Sequence, residues 1–110
     1  MRYVIGVDLG GTNLRAGLVD THGTILFDTK VATTVEEGPQ SIFGRMVALI
    51  KTVQQQVPSG GTVAGVGIGV PGPLDPFAGF VFAMPNIAGF ENTPLRQMLS
   101  DATGLDIELG

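Results

Sequence analysis

The chain contains no cysteine, so it holds neither a disulfide framework nor a thiolate metal site within these residues. It has one histidine, His22, which excludes a histidine-rich metal cluster. It has no basic run and a net charge of −4, so the electrostatic footprint of a nucleic-acid binder is missing. No apolar run approaches the roughly 18 residues of a membrane-crossing helix, and the opening Met-Arg-Tyr-Val-Ile-Gly lacks the apolar stretch of a signal peptide. The expectation is a cytoplasmic domain with no membrane and no nucleic-acid partner. What is present is apolar: 44% of the 110 residues are hydrophobic, enough for one globular domain with its own core. That length is small for an enzyme that must close a cleft around two substrates.

The chain is organised around Asp8-Leu9-Gly10-Gly11-Thr12, which lies between two apolar runs that read as strands, 3–8 and 13–20. Two adjacent glycines allow a sharp turn and positive φ at little steric cost. With no side chains in the way, the main-chain N–H groups of Gly10, Gly11 and Thr12 can point at one small anion, as a phosphate cradle does. Asp8, at the end of the first strand, can hold a hydrated Mg²⁺ against that phosphate, since Mg²⁺ favours oxygen ligands and keeps several waters. Thr12 adds a hydroxyl. An ordinary hairpin whose turn contains glycine is the plainer alternative, and these five residues alone leave it open.

The remaining chain reads as a mixed α/β domain. Asp20-Thr21-His22-Gly23 is turn chemistry, with His22 a solvated turn residue. Ile25, Phe27, Thr29 and Val31 alternate with polar and apolar neighbours, which predicts a third strand in an antiparallel meander. Gly38-Pro39 opens a helix, with Glu36 and Glu37 placed to favour its positive end. Its apolar stripe is Ile42, Met46, Leu49, Ile50, Val53 and Val57, and Pro58 stops it. The strand over 63–70 then pairs in parallel by a right-handed crossover. It alternates Ala64, Val66, Ile68 and Val70 with Gly65, Gly67 and Gly69, and a glycine face lets a helix or a neighbouring backbone come close.

Gly67-Ile-Gly-Val-Pro-Gly72 fits the dinucleotide pattern G-x-G-x-x-G. That pattern must follow a strand and open a helix. Here two of the glycines lie inside the strand, and Pro71, Pro73 and Pro76 block a helix, so the Rossmann reading fails. No P-loop sequence occurs. Pro71 to Pro76 is a stiff loop at the carboxyl end of a central strand, where open α/β sheets gather ligands. Phe80–Phe82 reads as a short strand. Asn86, held between Pro85 and Gly89, offers a side-chain amide that can donate to and accept from a sugar hydroxyl, or can bond its own turn backbone. Thr93 as N-cap and Pro94 at the first helical position start a last helix with the stripe Leu95, Met98, Leu99 and Ala102, stopped by Gly104. A final strand then alternates Leu105, Ile107 and Leu109.

Ile5-Gly-Val-Asp-Leu-Gly-Gly-Thr-Asn-Leu-Arg15 with Asp20, Gly67-Ile-Gly-Val-Pro-Gly-Pro-Leu-Asp75, Pro85-Asn86 with Gly89-Phe90, and the closing helix and strand resemble the N-terminal half of ROK-family sugar kinases, glucokinases among them. The resemblance covers nearly the whole chain. It implies an RNase H-like, actin-like ATPase small domain, a mixed sheet of three antiparallel strands followed by parallel ones, with flanking helices. It implies ATP as donor with Mg²⁺, and a hexose as acceptor, glucose by default. N-acetylmannosamine, N-acetylglucosamine, fructose and allose are the alternatives. By position it places Asp8 near the metal, Gly10, Gly11 and Thr12 at the nucleotide phosphates, and Gly72 and Asn86 at the sugar. Arg15 belongs to the pattern without an assigned chemical role.

The same resemblance implies that the catalytic base, an Asp in an Asn-Asp pair, follows directly after Gly110. The later Glu-His sugar contacts, the zinc site and the adenine-binding C-terminal domain are likewise expected outside these residues. Residues 1–110 are therefore expected to be the N-terminal domain, inactive alone, with a homo-oligomer or the missing domain covering its glycine-faced side. The alternative is a sugar-sensing ROK transcriptional regulator. Those carry a helix-turn-helix ahead of this region, whereas Met1 lies just before the first strand and the bend is intact. A chaperone-type ATPase of the wider superfamily is disfavoured by the Val70–Asp75 loop and Asn86.

Overall fold

The structure is a computed structural model that describes all 110 residues. Strand β1 (Arg2–Leu9), β2 (Asn13–Val19) and β3 (Ile25–Ala32) form the antiparallel meander. Helix α1 (Pro39–Gln54) crosses back to β4 (Thr62–Gly69), which pairs in parallel with β1. A two-residue hairpin, β5 (Leu74–Asp75) and β6 (Phe80–Val81), stands apart as its own small sheet. Helix α2 (Leu95–Thr103) leads to β7 (Ile107–Leu109), parallel to β4. The main sheet runs β3-β2-β1-β4-β7. No helix is long and apolar enough to cross a membrane.

Period-two alternation decides which side of this sheet is wet. Tyr3, Ile5, Val7 and Leu9 are buried, and so are Leu14, Ala16, Leu18, Val66, Ile68, Ile107 and Leu109. Helix α1 lies over β1 and β2 and buries Ile42, Met46, Leu49, Ile50 and Val53, as the 3.6-residue stripe predicts. Gly38 sits at its N-cap and Pro39 opens it. Val57 falls in the turn beyond the helix and is only half-buried.

Four expectations are corrected. The alternation in β3 buries no residue: Ile25 is 62% exposed, because β3 is an edge strand and α1 is centred on its neighbours. Glu36 and Glu37 sit in a separate 3₁₀ turn, Val35–Glu37, and Glu37 pairs with Arg45 on α1 rather than facing the helix end. Thr93 does not cap α2. Its backbone is bound in both directions to Val81 of β6, and Pro94 takes the cap position. Met98 lies on the exposed side of α2, while Leu95 and Leu99 are fully buried and Gly104 ends the helix.

The glycine face of β4 behaves differently from residue to residue. At Gly65 the Asp106 carbonyl comes within 3.4 Å of where a Cβ would stand, a close backbone approach of the expected kind. At Gly67 nothing lies within 4 Å, and the space over it is a concavity that Arg96 and Ser100 of α2 border. Val4, Gly6 and Gly67 therefore form the floor of an open face.

Candidate phosphate and sugar site at the sheet edge

Asp8, Gly69 and Gly110 lie together because parallel strands end on the same side. Asp8 and Gly69 are register partners. Gly110 donates its N–H to the Ile68 carbonyl (2.8 Å) and accepts from the Val70 N–H (3.3 Å), so the chain after β7 emerges at this same edge. This is the carboxyl end of the parallel strands, the usual ligand side of an α/β sheet.

Asp8 projects from the open face. It is exposed and makes no hydrogen bond or ion pair within the chain. Its Oδ1 stands 3.7 Å from where a Gly69 Cβ would be. Arg15 is its cross-strand partner, exposed and without an ion pair. No group of three or more potential metal ligands exists anywhere in the chain. A lone, unpaired carboxylate beside free amides suits Mg²⁺ carried in by a phosphate, which needs only one or two protein oxygens.

The bend between β1 and β2 departs from expectation in two ways. Neither Gly10 nor Gly11 has positive φ. Their value is space: at Gly10 a Cβ would sit 3.1 Å from the Asn13 carbonyl oxygen, and at Gly11 it would sit 3.9 Å from the Asn86 Cβ. The second departure is in the donors. The Gly10 N–H closes the turn onto the Asn13 carbonyl at 2.9 Å, so it is not available to a ligand. Gly11 and Thr12 are exposed, and their N–H groups have no acceptor within the chain. The bend thus leaves two amides free where three were expected.

Asn86 meets the bend from the other side. Its backbone is left-handed (φ 65), a region asparagine tolerates. Its side chain is exposed and forms no hydrogen bond within the chain, so the local turn bond open to an Asn here is not made. Gly72 does not touch the bend. At φ 109, a side chain there would overlap the Ala83 carbonyl and come within 2.8 Å of the Pro85 ring. Its bare α-carbon lets the loop after β4 pack against the segment that presents Asn86.

Thr33 and Arg45 were not expected at this site. Thr33 is the one buried polar side chain, fully enclosed. Its hydroxyl donates to the Gly10 carbonyl at 2.6 Å and its N–H donates to the Thr12 carbonyl at 2.9 Å. Its own carbonyl accepts from Arg45 Nη1 at 2.8 Å, and Arg45 is paired with Glu37. No local motif announces Thr33, because its partners lie 21 and 23 positions earlier in the chain.

One concavity of about 820 Å³ runs along the open face between Gly67 and Arg96, and another of about 520 Å³ passes Asp8, Arg15 and Lys30. Neither includes Gly11, Thr12 or Asn86. The geometry is that of a half-site: an unpaired carboxylate, two free amides and one side-chain amide, all facing outward.

The known proteins this chain is similar to include sugar kinases and transcriptional regulators. The glucokinase of Thermotoga maritima is 38% identical over 106 residues, covering 96% of this chain and 32% of its own length. The ROK-family glucokinase of Streptomyces griseus, solved with glucose and AMPPNP, is 34% identical with a TM-score of 0.84, over 97% of this chain and 32% of that one. The xylose repressor of Caldicellulosiruptor bescii is 30% identical, over 94% of this chain and 26% of its own. The chain therefore spans about a third of the length of the curated relatives it matches. Its fold is the actin-like ATPase class, with the antiparallel-then-parallel sheet that the motifs predict. Residues 4–110 match the ROK family throughout, and the chain belongs to that family.

Proposed function

We propose that these 110 residues are the N-terminal lobe of a kinase that moves the γ-phosphoryl group of ATP to a hydroxyl of a hexose, glucose by default. The observation that carries this reading is the exposed Asp8 carboxylate, unpaired, beside the unbonded Gly11 and Thr12 amides, with the Asn86 Cβ 3.9 Å from where a side chain on Gly11 would begin. In it, Gly11 and Thr12 hold phosphate oxygens while Asp8 holds Mg²⁺, which supplies neutralisation of the developing charge. Gly10 serves by closing the turn. Asn86 orients a sugar hydroxyl, and Gly72 keeps the Asn86 segment in place. Phosphoryl transfer is mostly positioning and electrostatic stabilisation, so a rigid amide bend is a sufficient contribution from this lobe.

The base is expected from the residue pair after Gly110, and support for this is that Gly110 itself is hydrogen-bonded to Ile68 and Val70 at the edge where Asp8 ends its strand. None of Glu36, Glu37, Asp101 or Glu108 stands in the half-site, and the chain alone is expected to be inactive. The open face is covered in the working molecule by a second copy or by further polypeptide, and purely monomeric sedimentation of the chain removes the first option. A cytoplasmic location fits the reading.

A test uses the 110-residue chain and the longer protein that contains it, with glucose, ATP and Mg²⁺. ADP release is expected only from the longer protein. Turnover by the chain alone refutes the placement of the base. The xylose-repressor relative supports a second reading, a sugar-responsive regulator. It predicts no turnover by the longer protein and DNA binding that changes with sugar.

A further inference from the structure

We infer that Thr33 is a positioning residue for the phosphate bend: its hydroxyl fixes the peptide between Gly10 and Gly11 so that the Gly11 N–H faces the ligand. The inference rests on the proposed nucleotide reading for its function, but its geometry stands apart from it.

In a trans peptide the C=O of one residue and the N–H of the next point in opposite directions. The Gly10 carbonyl is drawn into the protein by the Thr33 hydroxyl at 2.6 Å. The Gly11 N–H, on the same peptide plane, is thereby turned outward, where it has no acceptor in the chain. Glycine on both sides makes this plane the easiest in the bend to rotate. The hydroxyl is what holds it. Thr33 is completely buried, so water cannot replace the bond.

The backbone of Thr33 is itself anchored at both its N–H and its C=O. Its N–H is used by the Thr12 carbonyl, its C=O by Arg45, and Arg45 by Glu37. The bend is thus tied through one side chain to the first turns of α1. The residue that follows, Thr34, is held in the left-handed region (φ 54), unusual for a β-branched residue. The backbone leaves β3 sharply there, immediately after Thr33 has reached the bend.

The test compares the ¹⁵N-labelled chain with its Thr33→Val and Thr33→Ser variants. Valine keeps the shape and removes the donor; serine keeps the donor. Residual dipolar couplings report the direction of the Gly11 N–H. They are expected to match wild type in Thr33→Ser and to change in Thr33→Val, and an unchanged coupling in Thr33→Val overturns the inference. Titration of the longer protein that contains this chain with Mg-AMPPNP is expected to give a dissociation constant about tenfold or more weaker for Thr33→Val and within about twofold of wild type for Thr33→Ser, the size expected for misaiming one preorganised donor. Equal affinity of all three with a reoriented Gly11 N–H overturns the functional half. If the wild-type longer protein does not bind Mg-AMPPNP, the nucleotide reading fails and the couplings still decide what Thr33 does. Should Thr33→Val not fold, wild type decides: a slowly exchanging Thr33 hydroxyl proton beside a fast-exchanging Gly11 amide supports the inference, and the reverse overturns it.

Discussion

Gly10 and Gly11 look equivalent in sequence and are not equivalent in the bend. A methyl at Gly10 would press on the Asn13 carbonyl oxygen at 3.1 Å, across the hydrogen bond that closes the turn. A methyl at Gly11 would meet only the Asn86 Cβ at 3.9 Å, an ordinary contact. Gly10→Ala is therefore expected to cost about 1–3 kcal/mol in urea denaturation, and Gly11→Ala less than about 1 kcal/mol. Gly11→Ala is expected instead to weaken Mg-AMPPNP binding, because the methyl enters the gap where a phosphate would sit. Equal stability losses would contradict this division of labour. Asn86 separates in a similar way. Its φ of 65 suits glycine as well as asparagine, so Asn86→Gly keeps the backbone and removes only the amide. In the longer protein it is expected to raise KM for the sugar by tenfold or more with KM for ATP within about twofold. An unchanged sugar KM would leave Asn86 as backbone alone. At this scale the sequence was legible where chemistry is local. Asp8 and the glycines announce a bend beside a carboxylate, but Thr33 acts through space on Gly10, 23 positions away, and Gly10 spends its N–H on the turn. Neither fact has a signature in neighbouring residues.

Elements carry the site by one packing that is tight because a side chain is missing and by one set of side-chain ties. The loop after β4 seats Gly72 on the Ala83 carbonyl and the Pro85 ring. Gly72→Ala adds both overlap and an unfavourable φ, and is expected to destabilise by about 3 kcal/mol or more, with the loss read as a lower denaturation midpoint. The β5–β6 hairpin is pinned differently. Arg96 of α2 donates from Nη1 to the Phe77 carbonyl at 2.9 Å, and Asp75 accepts from the N–H groups of Phe77 and Ala78. Phe77 itself is 91% exposed and contributes no packing. Arg96→Ala is expected to speed amide exchange at the hairpin tip while α1 and the sheet stay protected, since only an exposed tie of about 1 kcal/mol is lost. Uniform loss of protection would mean the hairpin is part of the core unit. The order of strands and helices was legible because period two and period 3.6 rarely mimic each other over these lengths. What covers each face was not. Alternation tells which residues share a side of β3 or β4, and only the tertiary arrangement shows that α1 leaves Ile25 and Gly67 bare.

For the whole molecule, charge decides how an anion reaches this edge. The chain carries a net charge of −4, and a nucleotide triphosphate brings several negative charges of its own. Two amides cannot offset that repulsion alone, and the unpaired Arg15 stands across the strand from Asp8, outside the bend. Divalent metal must therefore be part of the bound state if Asp8 works as proposed. Removing Mg²⁺ with EDTA is expected to weaken AMPPNP binding by tenfold or more. The deficit should narrow as salt rises, because screening at a Debye length of about 8 Å near physiological ionic strength relieves repulsion between protein and nucleotide. Asp8→Asn is expected to lose most of the Mg²⁺ dependence while leaving stability nearly unchanged, since Asp8 has no partner in the folded chain to abandon. Calorimetric titrations with and without EDTA, at two salt concentrations, read all of these. AMPPNP affinity that ignores both Mg²⁺ and the Asp8 substitution would remove the carboxylate from the site and leave the bend a simple hairpin turn.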